Sequence, residues 1–337
     1  MYFIDQRIQV ICNQLNMLRI KNRHDIADWK CKYGQYFRPE EVDACALPWE
    51  DFNCYSMRWY SNYDGTDQFD GKFEGYQGDF RGIQGAHYWF RTKVTIPQEL
   101  DGKSVWMKIR TQIEEWDDGK NPQFLIFINN EVVQGADMNH RDICLSKCAK
   151  GGEELTVDVQ AYTGTLHREF NFLVDLYELD EAANKLYYDL QVPLWAFARL
   201  GEDNKHRLDI QTVLNDTINL IDMRVPHSAA YDESIKVAQA YITENLYNKL
   251  GGWDEVVATC IGHTHIDVAW WWTVAQTREK VVRSFATVLK LMDEYPSYKF
   301  MSSQPVLYYF LKQRYPEIMD KIKEKVKEGR WETEGGM

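Results

Sequence analysis

Ile4, Ile8, Ile11, Leu15 and Leu18 recur at spacings of four, three, four and three, which places them on one face of a helix that must find a surface to pack against. From about Trp49 to Leu179 the period changes. Short apolar runs separated by turns follow one another: 88–96, 104–111, 123–128, EVVQG, 154–162 and EFNFLVDLYEL. Val105, Met107 and Ile109 alternate as a half-buried strand requires, and Asn129-Asn130 reads as a tight hairpin turn. Strands at this spacing predict a β-sandwich. After Leu190 helical periodicity returns, with Ile210, Leu214, Ile218 and Ile221 on one stripe and Ile235, Ala238, Ile242 and Leu246 on another, until Gly251-Gly252 breaks it. GEDNKHR reads as an exposed connection.

The last part has a third texture. EVVATCI (255–261) is apolar throughout, as for a strand buried on both faces of a parallel sheet. A helix through Val281, Phe285, Val288, Leu289 and Met292 follows and stops at Pro296. YKFMSS, a helix through Ile318, Ile322 and Val326, a stop at Gly329 and RWETE complete β-α-β-α-β. The fold class expected is multidomain α+β, with a jelly-roll-like β-sandwich of the galactose-binding kind, flanking helices and then the start of a seven-stranded-type α/β barrel. The boundaries expected are a helical segment at 1–49, the sandwich at 50–180, a helical linker at 181–250 and the start of the α/β domain at 251–337.

Charge narrows the choice of ligand. The chain's 39 basic and 51 acidic residues give a formal charge of −12, which disfavours nucleic acid and anionic membranes as partners. Asp5 and Arg7 interrupt what would be the core of a signal peptide, and no apolar run approaches the roughly 18 residues of a spanning helix. An odd count of 7 cysteines fits a reducing compartment, so a cytoplasmic protein is expected, with homo-oligomer formation left open. The 14% aromatic share suits a protein that holds sugar rings against flat apolar faces, although large β-rich cores use aromatics as well.

The residues richest in chemistry follow the first buried strand, in GHTHIDVAWWW (262–272). The carboxyl ends of strands carry the active sites of α/β folds because the loops after them converge on one face. His263, His265 and Asp267 alternate there. In continued strand geometry they point the same way, about 6.5–7 Å apart at Cα, and imidazole nitrogen with carboxylate oxygen suits zinc. The competing reading is two histidines that cap the strand through backbone hydrogen bonds. His140, Cys144 and Cys148 lack a convincing fourth ligand, Glu114, Glu115, Asp117 and Asp118 read as a solvated turn, and Glu332 and Glu334 receive no catalytic role.

GHTHIDVAW, with TREKVVRSFATVLKLM, YPSYKFMSSQP, YPEIMDKIKEKVKEGRW and the terminal EGGM, resembles the catalytic domain of glycoside hydrolase family 38, the α-mannosidases, over about residues 256–337. NPQFLIFINNEVVQGADMNHRD looks like the N-terminal region of the cytosolic and bacterial branch of that family. The resemblance implies one catalytic Zn2+ with His265 and Asp267 among its ligands. It also implies Trp270 as the platform under the mannose ring in the −1 subsite, with Trp271 or Trp272 left to packing. His263 falls on a position that is not usually a ligand and is left to orient one. The implied reaction is retaining hydrolysis of mannose-containing oligosaccharides, which needs a carboxylate nucleophile and a carboxylic acid. In the family the nucleophile follows EGGM, which places it just after Met337, and the acid comes later still. The chain is therefore expected to be an N-terminal fragment without catalytic residues, itself inactive, with zinc weak or absent. Two rivals remain: a metal-dependent amidohydrolase, in which His263 and His265 are both ligands, and a non-catalytic carbohydrate-binding sandwich.

Overall fold

The computed structural model describes residues 2–54, 59–60, 87–112, 121–163, 169–201, 203–250, 258–270 and 272–334. Helix α1 (Tyr2–Leu18) leads into β1 (Ile20–Asp25), β2 (Asp28–Tyr33), α2 (Pro39–Ala44), β3 (Glu50–Asn53) and β4 (Trp59–Tyr60). Strands β5 (His87–Thr95), β6 (Val105–Arg110), β7 (Gln123–Ile128), β8 (Glu131–Ala136), β9 (Asp142–Ser146), β10 (Glu154–Tyr162), β11 (Glu169–Phe170) and β12 (Leu173–Leu179) follow. They form an antiparallel four-stranded sheet, β1-β12-β6-β9, a six-stranded sheet, β3-β2-β5-β10-β7-β8, and a small β4–β11 ladder.

Alternation along β6 and β12 sends Val105, Met107, Ile109, Val174 and Leu176 into one core with Phe90, Phe124, Ile126 and Val157 of the larger sheet. Two sheets thus face each other as a sandwich. At its centre the rings of Phe90 and Phe172 stack with centroids 4.2 Å apart. Asn129 and Asn130 turn the β7–β8 hairpin with φ of 50° and 70°, the left-handed pair that matches the twist of two joined strands. The 1–49 segment expected as helical is helical only in α1 and α2, because β1 and β2 join the two sheets. Their sequences, IKNRHD and DWKCKY, carry few apolar residues. Each is held instead by a distant neighbour, β12 for β1 and β5 for β2.

Helices α3 (Glu181–Phe197), α4 (Lys205–Asn219) and α5 (Ala229–Ile242) pack with α1 in a second core built from Ile8, Leu15, Leu190, Leu214 and Ile235. The surface that α1 requires is therefore this helical group. GEDNKHR is less of a loop than expected, since Asn204 caps α4 by accepting from the His206 amide at 2.9 Å.

Strands β13 (Gly262–His263), β14 (Phe300–Met301) and β15 (Trp331–Glu332) form a parallel sheet in that order, with α6 (Val274–Glu294) crossing from the first to the second and α7 (Pro305–Arg314) and α8 (Pro316–Lys327) from the second to the third. EVVATCI behaves differently from expectation. Residues 255–257 lie outside the described residues, as do Gly251-Gly252, and residues 258–261 are exposed and belong to no ladder. Among the described residues only β14 flanks β13, and the described part of the apolar run ahead of it adds nothing to that ladder.

The two halves share a core. The face of the six-stranded sheet turned away from the sandwich interior presents Trp89, Leu125 and Phe127 to Val281, Val282, Phe285 and Leu289 of α6. This explains why QFLIFI is buried at every position but the last. The closest approach is at Gly135 on β8, where an added Cβ would meet the Arg283 carbonyl oxygen at 2.7 Å and its Cα at 2.9 Å. Gly135→Ala is therefore expected to push α6 off the sheet and to cost about 1–3 kcal/mol. A chemical denaturation midpoint equal to that of the unsubstituted chain would show that the approach is not needed.

Candidate active site

The loop after β13 is fixed from below. Ile266 is 4% exposed and its amide donates to Gln304 Oε1 at 3.4 Å, so in extended backbone its neighbours His265 and Asp267 both face outward. Thr277, in the first turn of α6, donates from Oγ1 to the Val268 carbonyl and to the Asp267 carbonyl at 3.3 Å. The Trp272 indole N–H reaches the Asp267 carbonyl at 3.3 Å and Thr277 Oγ1 at 3.1 Å. Thr273 caps the same helix by accepting from the Gln276 amide at 3.3 Å. Gly262 lets the Tyr298 ring lie against β13, since a Cβ there would come within 2.1 Å of the tyrosine oxygen.

His265 and Asp267 are brought together. His265 Nε2 lies 3.0 Å from Asp267 Oδ1, and both side chains are exposed. A carboxylate only accepts, so Nε2 carries the proton in this contact. His263 is turned elsewhere. Its Nδ1 meets the Met301 carbonyl oxygen at 3.0 Å, which makes Nδ1 the donor and ties β13 to β14. The strand ends at His263, so a common direction for all three side chains, as expected from continued strand geometry, does not hold. Trp270 is 62% exposed and stands edge-on to Trp272, with ring centroids 5.8 Å apart. Trp272 is half-buried beneath Lys280 Nζ, 4.3 Å from its ring centroid, and Trp271 lies outside the described residues.

Beside this loop a cavity of about 370 Å³ is lined by His263, His265, Trp272, Lys280 and Tyr298, and on the sandwich side by Asp137 and His140. His140 Nδ1 is 3.1 Å from Asp137 Oδ1, while Cys144 is buried in β9 and Cys148 is exposed beyond it, so these three do not converge. Among the described residues no group of three or more His, Cys, Asp and Glu side chains could hold a metal ion. Glu114, Glu115, Asp117 and Asp118 lie outside the described residues; Glu332 and Glu334 are exposed. Met337, the residue after which the nucleophile is expected, also lies outside the described residues, together with Gly335 and Gly336. The position expected for the nucleophile is thus not part of the site described here, which consists of the His265–Asp267 pair and the rings beside it.

His265 and Asp267 fit as part of a zinc site. Two ligands on tetrahedral zinc, each bonded at about 2.0–2.1 Å, stand roughly 3.3 Å apart, so a pair at 3.0 Å needs only a few tenths of an ångström of opening. The ion would take the place of the proton on Nε2.

Behind the cavity lies a feature that spacing alone did not reveal. Glu279 of α6 is buried, with His87 Nε2 at 3.1 Å, Arg283 Nη1 at 3.4 Å and the Gln35 amide on its carboxylate. Arg283 Nη2 donates to Gln123 Oε1 at 2.7 Å. Burial pushes the Glu279 carboxyl up, but the facing His87 and Arg283 and the Gln35 hydrogen bond outweigh it and bring its pKa to about 2. The signal available in the sequence was two ionisable groups of opposite charge, Glu279 and Arg283, four apart among the apolar positions Val282, Phe285 and Ala286 of one helix.

Residues 255–337 match the family model described as the glycosyl hydrolases family 38 N-terminal domain. Outside that segment the likeness continues. α-Mannosidase G of Dictyostelium discoideum is 26% identical over 280 residues, covering 77% of this chain and 24% of that protein. Human α-mannosidase 2C1 is 28% identical over 268 residues, covering 74% of this chain and 24% of that protein. About three quarters of the chain is thus similar to α-mannosidases, and its last 83 residues to the family 38 N-terminal domain. The α-mannosidase of Saccharomyces cerevisiae is 30% identical over 156 residues, which is 42% of this chain and 14% of that one. The chain spans about a quarter of the length of the first two relatives. The family 38 segment contains β13, α6, β14, α7, α8 and β15, and with them His265, Asp267 and Trp270.

Proposed function

We propose that this chain is the N-terminal part of a zinc-dependent retaining α-mannosidase that removes terminal α-mannosyl residues from oligosaccharides in the cytoplasm. The observation that carries the reading is the His265–Asp267 pair, held 3.0 Å apart at the end of a parallel strand inside the family 38 segment. His265 and Asp267 would be two of the zinc ligands, and the ion would act on the sugar's hydroxyls as a Lewis acid. Trp270 would give the apolar face of the mannose ring a platform. The three parallel strands would open a seven-stranded-type α/β barrel, with the sandwich as a jelly-roll domain ahead of it. The nucleophile would follow Met337 and the acid would come from later strands of that barrel, so the 337 residues by themselves would not turn over substrate.

The test is hydrolysis of an aryl α-mannoside by the full-length enzyme, followed by NMR of the released sugar. Turnover with retained α configuration, lost on chelation and restored by zinc, is the expected result. Chelator-resistant turnover, or turnover by the 337-residue chain alone, would count against the reading.

A further inference from the structure

A second cavity, of about 730 Å³, lies where the outer face of the four-stranded sheet meets α3 and the C-terminal half of α6. The outer face of a sandwich sheet is ordinarily polar, because it meets water. Here it is not. Tyr177 on β12 pairs in register with Trp106 on β6, and Trp106 with Cys144 on β9, so one cross-strand row is aromatic and apolar. With Leu179 it forms a separate buried cluster on the side of the sheet away from the main core. Trp106 and Tyr177 line the buried floor of the cavity, with Lys147 Nζ 4.6 Å from the Trp106 ring centroid; Tyr188 of α3, 45% exposed and with Arg19 over one face of its ring at 5.6 Å, and Tyr295 at the end of α6, 56% exposed, line its mouth.

The walls are rich in hydrogen-bonding groups and nearly neutral in sum. Five cationic side chains, Arg19 and Arg141 with Lys147, Lys185 and Lys290, share them with four carboxylates, those of Asp142, Glu181, Asp189 and Glu294. Part of this charge is already tied within the protein: Lys147 Nζ is 2.9 Å from Glu181 Oε1, and Tyr177 donates to Asp142 Oδ1 at 2.7 Å. With Lys147 paired to Glu181 and Lys185 to Asp189, an excess of one positive charge gives a phosphate or sulfate little net attraction, whereas paired donors and acceptors beside aromatic rings match the hydroxyl edges and C–H faces of sugars. The volume is that of a small-molecule site. His140, Thr287 and Leu291 line this cavity and also the one beside His265, so the two adjoin along α6.

We infer that this cleft is an oligosaccharide-binding site, which takes a neutral mannose-containing glycan between Tyr188 and Tyr295 over the Trp106–Tyr177 floor. The kind of sugar rests on the α-mannosidase reading; the existence of the site does not, because neither His265 nor Asp267 takes part in the binding.

Calorimetric titration of the 337-residue chain with α-linked mannotriose in the presence of a chelator tests the inference. Saturable binding is expected. Tyr188→Ala and Tyr295→Ala combined should weaken it roughly tenfold or more through lost stacking area, while the chain stays folded, since neither ring is part of a buried core; a thermal melt of the double variant checks that. Asp267→Ala should leave the affinity unchanged, which separates this cleft from the candidate active site. Three results would overturn the inference: no binding of mannotriose, binding insensitive to both tyrosines, or tighter binding of a sulfated oligosaccharide than of mannotriose. Failure of the α-mannosidase reading alone would leave tyrosine-dependent binding intact while full-length turnover is absent.

Discussion

Glu279→Ala is expected to destabilise the chain by about 3–5 kcal/mol, the cost of removing one partner from a buried charged cluster. The loss strands Arg283, which is buried and has Glu279 as its carboxylate partner, and it leaves His87 Nε2 facing a void where the carboxylate stood. Because His87 belongs to β5 and Glu279 to α6, the damage falls on the contact between the sandwich and the family 38 segment. The pH dependence has a definite sign. A carboxyl whose folded pKa is about 2 contributes stability that is fully present above the unfolded value near 4.3 and is lost as pH falls toward 2. The gap between the original chain and Glu279→Ala should therefore narrow over that window. Urea denaturation at pH 7 and at pH 3, followed by hydrogen exchange in α6, measures both effects. Equal midpoints at pH 7 would remove the cluster from any account of how the halves are joined.

The sequence made some of this architecture legible and concealed the rest for physical reasons. β6, β7 and β10 were readable because a period of two is local information: each strand's alternation or apolar run is set by its own two faces. β1 and β2 were not, since the ladders that hold them come from β12 and β5, far along the chain. α3 falls inside the stretch expected to be helical, 181–250, although Pro193 and the exposed Tyr188, Val192 and Trp195 blur its own stripe of Leu186, Leu190 and Leu194. The described end of EVVATCI, residues 258–261, is exposed, because an apolar run states only that a strand could be buried and its cover must come from elsewhere. At the site, the alternation through His265, Ile266 and Asp267 was legible, but His263 was not separable from it without the Met301 carbonyl across the sheet. The His87–Glu279 contact spans 192 residues and has no motif to announce it.

Asp267→Ala and Trp270→Ala should separate metal chemistry from sugar binding in the full-length enzyme. Asp267 supplies one of two proposed ligands from this segment, and its loss leaves His265 without its 3.0 Å partner. Zinc content and kcat should fall together, kcat by roughly a hundredfold or more, because a Lewis acid contributes several kcal/mol at the transition state. The loop itself should survive, since Thr277 and the Trp272 indole hold the Asp267 backbone carbonyl, which the substitution keeps. Trp270 is anchored through its backbone, its amide donating to the Trp272 carbonyl at 3.1 Å, while its ring is mostly exposed. Trp270→Ala should keep full zinc content while raising KM about tenfold through lost stacking area. A fall in kcat as well would mean that the platform holds a ring already distorted toward the transition state. Metal analysis beside aryl α-mannoside kinetics distinguishes the two variants: undiminished turnover in Asp267→Ala would remove it from the metal site, and zinc lost from Trp270→Ala would show that the indole supports the ligands instead of the sugar.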